Sequence, residues 1–207
     1  DYLKQHGFQV RIACAPNADG YPDELQRFAP IDVRFPRTPR PVPLARAVRR
    51  LVGELRTLRP DILHLHTPAA ALPVRMIPRR LLPKHMKIFY TVHGYAHTWS
   101  SRPTDKVLQL LEKLLSARAD ITFFQSREDF DKARQHGFKG DLRYLGNGVE
   151  QEWFDIASPA RADALQLFFS GRLVREKGVL ELAEAVAECD GVELTIAGAE
   201  LPTDRDG

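Results

Sequence analysis

The sequence predicts an α/β fold with a doubly wound parallel sheet, and three observations carry that prediction. Short apolar runs alternate with longer amphipathic stretches along most of the 207 residues, the order that builds strand–helix–strand units. Several runs are apolar on both faces, as in Asp61-Ile62-Leu63-His64-Leu65 and Ile121-Thr122-Phe123-Phe124. Such runs suit parallel strands that are covered on both sides. A polar, Pro-containing break then precedes a fresh strand–loop–helix–strand pattern, as a second domain would require.

Taken in order, Asp1-Tyr2-Leu3-Lys4-Gln5-His6-Gly7 reads as the last turns of a helix closed by glycine. Strands are expected at Phe8–Ala13, Ile31–Phe35, Asp61–Leu65, Lys87–Val92, Ile121–Gln125, Leu142–Leu145, Leu167–Ser170 and Val192–Ala197. Between them, Leu44, Val48, Leu51, Leu55 and Leu58 recur at helical spacing. So do Val107, Leu110, Leu111, Leu114 and Leu115, and later Leu180, Ala183 and Ala187. Each stripe is read as core packing. Pro68, Pro73, Pro78 and Pro83 predict short helical pieces in place of one clean helix. Residues 1–155 are expected to form most of one α/β domain, 156–163 a linker, and 164–207 the first βαβ unit of a second domain. A helix before the first strand and a polar loop after the last suggest an internal piece of a longer chain.

With 43% hydrophobic and 28% charged residues, the composition excludes disorder and a collagen-like chain. No run approaches the 18 apolar residues of a membrane-spanning helix. Cys14 and Cys189 have no metal or redox spacing, so a reducing compartment is expected. The net charge of +3 hides an asymmetry. Residues 1–119 carry 20 Lys and Arg against 9 Asp and Glu, whereas residues 120–207 carry 10 against 18. The excess lies in residues 34–87, in one cluster from Arg37 to Arg59 and another made of Arg75, Arg79, Arg80, Lys84 and Lys87. Two readings stay open: a surface that attracts anions such as lipid head groups, or an ordinary solvated face. No zinc finger or RNP motif accompanies the charge, so nucleic acid is not expected as a partner.

The segment from Phe168 to Gly178, Phe-Phe-Ser-Gly-Arg-Leu-Val-Arg-Glu-Lys-Gly, carries the most chemistry. It joins a strand to an amphipathic helix, where open α/β sheets bind ligands. Gly171 permits a tight turn, and helix N-terminal amides near Gly178 favour an anion. Arg172 can fork two hydrogen bonds onto a phosphate, and Lys177 adds a point charge. A diphosphate site and a solvated loop are both compatible with these residues. His64 and His66 share a strand face, but no third ligand accompanies them, and no metal site is expected.

Four segments together resemble the retaining GT-B glycosyltransferases of family 4, also called glycosyl transferases group 1. They are Arg59-Pro60-Asp61-Ile62-Leu63-His64-Leu65-His66, Tyr90-Thr91-Val92-His93-Gly94-Tyr95, Leu145-Gly146-Asn147-Gly148-Val149-Glu150, and the turn Gly171-Arg172 with Lys177-Gly178. The Thr-x-His-Gly segment is most similar to the polysaccharide-synthesis branch. The resemblance implies a GT-B-like fold: a Rossmann-like N-terminal domain lacking its first strand, plus the start of a second, nucleotide-sugar-binding domain.

It further implies that Gly171, Arg172 and Lys177 hold the donor diphosphate, and that His93 is catalytic or contacts the donor sugar. His66, Gly94, Asn147 and Gly148 become cleft candidates, while Tyr95, His97 and Trp99 become candidates for an acceptor site. The implied reaction moves a sugar from a UDP- or GDP-type donor to a hydroxyl of a glycan or lipid-linked acceptor, with retention and without a cofactor or metal. The implied setting is cytoplasmic, at the inner face of a membrane met by the basic residues 34–87. The family's glutamate pair would fall after Gly207 and its glycine-rich loop before Asp1, so the 207-residue chain alone is expected to be inactive. A sugar-nucleotide 2-epimerase and a non-catalytic sugar-nucleotide or phospholipid-binding relative are the competing readings.

Overall fold

The computed structural model describes residues 2–16, 20–36, 40–94, 103–155 and 165–199. The chain divides into two compact units, Asp1–Gly148 and Val149–Gly207.

The first unit opens with a short helix α1 (Tyr2–Gln5), closed by Gly7 at a φ of 83°. Two brief parallel strands follow, β1 (Ala13–Cys14) and β2 (Ile31–Asp32), with helix α2 (Asp23–Gln26) between them. The strand expected from Phe8 therefore begins only at Ala13. Phe8 is 54% exposed, so its side chain supplies no burial to fix that stretch in a sheet.

Helix α3 (Pro41–Leu58) is the longest element. Prolines occupy its first turn, where a missing N–H costs nothing. Arg59 stops it in the left-handed conformation, with its amide donating to the Leu55 carbonyl at 2.9 Å. The 44–58 stripe buries Ala47, Leu51 and Leu55 in one core with Ile31 and Val33, while Leu58 stays 40% exposed.

The main sheet is parallel and runs in sequence order: β3 (Ile62–Leu65), β4 (Lys87–Val92), β5 (Ile121–Phe124), β6 (Asp141–Tyr144). Right-handed crossovers in a sheet that advances in one direction place the intervening helices on the same face. The contacts agree. Arg75 of α4 (Pro68–Met76) lies over the Tyr90 ring, and Phe130 of α6 (Arg127–Gln135) meets Phe124 edge-on. That face carries Tyr90, Val92 and Phe124, all within 1% of complete burial. Phe89, Ile121 and Phe123 on the opposite face are only half-buried. The proline-rich segment forms two pieces, α4 with Pro73 inside it and a 3-10 turn at Arg79–Leu81.

Helix α5 (Pro103–Leu115) departs from the stripe reading. Val107, Leu110 and Leu114 are 58%, 55% and 65% exposed, and Leu111 and Leu115 are half-buried. The cause is Glu112. Its carboxylate turns inward to accept from Arg75 Nη2 at 2.6 Å, and both side chains are almost fully buried. That pair sets the rotation of the helix about its axis.

Arg75 is thus removed from the basic surface on which the sequence placed it. Arg79 and Lys87 are also engaged, both with Asp120. Burial works against ionising the Asp120 carboxyl. The Ile88 amide, Lys87 and Arg79 outweigh it and hold the pKa below the ordinary value.

The second unit pairs β7 (Leu165–Ser170) with β8 (Val192–Ala197) in parallel, connected through a 3-10 turn at Arg175–Lys177 and helix α7 (Val179–Ala187). This is a single βαβ unit. None of its described residues is fully buried, and Leu180 of its helical stripe is 65% exposed. The expected linker, 156–163, lies outside the described residues.

Candidate functional site

Parallel strands point their C-terminal ends the same way, and side chains two residues apart share a face. The register sets His64 beside Phe89, and Thr91 beside Phe123. One more step along each strand brings His66, His93 and Gln125 to the same rim. His66 Nδ1 lies 3.2 Å from His93 Nε2, and His93 Nδ1 lies 2.8 Å from Gln125 Oε1. His64 stands behind them, its Nε2 2.8 Å from Thr91 Oγ1 and its ring 4.1 Å from that of His66. Phe89 and Phe123 each lie 6.2 Å from the His64 ring.

This packing disfavours charge on the His64 and His66 imidazoles. Desolvation, followed by the neighbouring His66 and His93, lowers the His64 pKa to about 4. His66 is lowered too, by desolvation first and by His93 second. Among the described residues, no group of three or more His, Cys, Asp or Glu side chains is placed to hold a metal ion.

The structure therefore joins two of the residues expected in a site, His66 and His93. Gly94 follows His93 on the exposed rim, with open space where a side chain would sit. Asn147 and Gly148 are exposed in the loop after β6 and close the first unit. Tyr95, His97 and Trp99 lie outside the described residues.

Sequence reading gave no role to Gln125 or Thr91. Gln125 follows directly on β5, two residues after Phe123, and falls in step with His93. What was missing was the pairing of β4 with β5.

The second unit carries the other candidates on one loop. Gly171 follows β7 and donates its amide to the Ala197 carbonyl at 3.1 Å. A Cβ on Gly198, at the end of β8, would strike the Gly171 carbonyl oxygen and come within 3.2 Å of Leu173. Gly198 thus lets the ends of the two strands come into backbone contact. Arg172 and Lys177 are exposed on the loop that leaves this contact. Lys177 closes the 3-10 turn, donating its amide to Val174 at 2.9 Å. Gly178 is left-handed, with a φ of 64°, and leads into α7. The arrangement offers two cations and a helix N-terminus beside a strand end, the chemistry of an anion site.

Comparison with known proteins fits this layout. The sequence model of Glycosyltransferase Family 4 matches residues 1–153. A protein of Bacillus subtilis (strain 168) named as a glycosyltransferase, EpsD, is 27% identical over 201 residues, covering 90% of this chain and 51% of EpsD. A GDP-mannose-dependent alpha-mannosyltransferase of Mycolicibacterium smegmatis (strain ATCC 700084 / mc(2)155) is 27% identical over an alignment of 216 residues, covering 96% of this chain and 56% of that protein. The chain spans about half the length of these curated relatives. With three-quarters of its residues inside the family match, an α/β fold of parallel strands and three of its histidines gathered at one strand-end rim, the chain belongs to glycosyltransferase family 4.

Proposed function

We infer that the complete protein transfers a hexose from a nucleotide-diphosphate donor to a hydroxyl of a glycan or lipid-linked acceptor, with retention, in polysaccharide or glycolipid synthesis. The observation that carries the reading is the family match over residues 1–153, followed in the same chain by the Gly171-Arg172 turn with Lys177. In this reading Arg172 and Lys177 take the diphosphate. Two fixed cations beside a leaving diphosphate stabilise the charge that grows on it as the sugar departs. His93 and its neighbours are assigned to sugar recognition. UDP and GDP sugars are the donors to test, and GDP-mannose comes first because one relative is named for it.

The exposed Arg40, Arg46, Arg49, Arg59, Arg80 and Lys84 are the residues proposed to meet an anionic membrane, at its cytoplasmic face. Arg75 has no part in that surface.

The test is titration of the complete protein with UDP and GDP sugars, alongside an Arg172→Ala, Lys177→Ala double variant. Wild type is expected to bind one nucleotide class, and the double variant to bind at least tenfold more weakly, as befits lost charge-assisted contacts. Equal affinity in both proteins would remove the diphosphate role. Binding without turnover on any acceptor would favour a non-catalytic relative. Adsorption to anionic vesicles is expected to fade above about 0.5 M salt, where the screening length shrinks to a few ångströms.

A further inference from the structure

Gln125, His93 and His66 form a hydrogen-bonded line whose polarity can be worked out atom by atom. The Gln125 Oε1 atom only accepts, so His93 Nδ1, 2.8 Å away, carries a hydrogen and donates it. A neutral imidazole holds one hydrogen, so His93 Nε2 is then a lone pair. His66 Nδ1 is 3.2 Å from that lone pair and must be the donor. This leaves His66 Nε2 as the unprotonated end of the line. Nothing among the described residues bonds it, and His66 is exposed at the rim.

The His66 ring has an imidazole on each of two sides. His64 lies 4.1 Å from it on one side, and His93 is 5.5 Å away on another, ring to ring. His64 is itself tied to Thr91. His93 has both nitrogens engaged within the protein, whereas His66 has one nitrogen to offer.

We propose that His66 Nε2 is the hydrogen-bond acceptor for a hydroxyl of a bound sugar, and that His93 and Gln125 are positioning residues that fix its tautomer. The proposal rests on the transferase reading for its ligand, a sugar hydroxyl. It rests on the geometry above for its atom. A polyol suits this end of the line because every hydroxyl carries a donor hydrogen and can meet an sp² lone pair. A phosphate does not suit it, since an anion presents only acceptors.

Two measurements on the complete protein test it. In the first, ¹⁵N spectra of the histidine rings report the tautomers directly. Free histidine favours the Nε2–H form, so an Nδ1–H form at both His66 and His93 is diagnostic and is the result expected. An Nε2–H tautomer at His66 overturns the proposal, because it means the line runs the other way.

The second measures sugar transfer with four variants. His66→Gln keeps a side-chain acceptor, and His66→Phe keeps only the ring shape. Gln125→Glu still accepts from His93 Nδ1, and Gln125→Leu does not. The expected order of kcat/KM is His66→Gln above His66→Phe, and Gln125→Glu above Gln125→Leu, each by about five- to tenfold, the worth of one hydrogen bond. Gln125→Leu is also expected to return His66 toward the Nε2–H tautomer, which a merely structural role would not do. Equal activity within each pair, in a wild type that binds nucleotide and transfers sugar, overturns this inference alone. A complete wild-type protein that neither binds nor turns over any nucleotide sugar overturns the transferase reading and this inference with it.

Discussion

His64, still partly open to solvent, shows how one side chain can make stability fall as the pH falls. Its ring is wedged against Phe89 and Phe123 and followed at once by His66 and His93. Desolvation, with a lesser contribution from the other imidazoles, takes its pKa from 6.5 to about 4. A histidine lowered in the folded state binds its proton more readily when unfolded. Its contribution is therefore fully present above pH 6.5 and is lost as the pH falls from there toward 4. His66, lowered for the same reasons, adds to the slope. Replacing His64 by Phe is expected to flatten the fall in urea midpoint between pH 6.5 and pH 4. An unchanged slope would mean that the imidazole is not desolvated by its neighbours. His66 and His93 could be named as candidates from the sequence because the segments that hold them resemble those of the family. Gln125 could not, because its importance comes from the strand beside it and not from its own neighbours in the chain.

Among the elements, α4 and α5 hold the largest departure from pattern. The 107–115 stripe is apolar by spacing, yet the helix faces its neighbours with Glu112, because Arg75 waits there with its guanidinium 4.6 Å from the Tyr90 ring. Spacing arguments rank residues by hydrophobicity and are blind to a buried partner 37 positions away. Removing one member of such a pair strands the other without water. Glu112→Leu is expected to cost about 3–5 kcal/mol in urea denaturation, and the Arg75→Met, Glu112→Leu double variant to recover most of it. A full, equal loss in the double variant would show that the pair does more than satisfy itself. Helix α6 escaped the hydrophobic pattern for a different reason. Its sequence, Arg127-Glu128-Asp129-Phe130-Asp131-Lys132-Ala133-Arg134-Gln135, is almost wholly polar. Its start is held by Ser126, whose hydroxyl accepts from the Asp129 amide at 3.3 Å, as an N-cap does.

At the scale of the molecule, the alternation of apolar runs was enough to expect parallel strands in βαβ order, and the main sheet follows it strand for strand. The stretch from Phe8 and the outer face of α5 were misjudged for one reason: burial depends on what else is near, and pattern alone assumes that every apolar face finds a cover. The two units differ sharply in this respect. The first gathers an extensive core, from Ile31 and Val33 through Tyr90 and Phe124 to Phe138. The second has no fully buried residue among those described, although its two strands pair along their whole length. Backbone hydrogen bonds without a sealed core open often, at little free-energy cost. In deuterated buffer the amides of Leu165–Ser170 and Val192–Ala197 in this chain are therefore expected to exchange orders of magnitude faster than those of Lys87–Val92. Ligand binding to a segment that opens so readily raises its protection in proportion to ligand excess over Kd. The strands that flank Arg172 and Lys177 would then serve as an internal gauge of occupancy, with nucleotide detected by the deuterium they stop taking up.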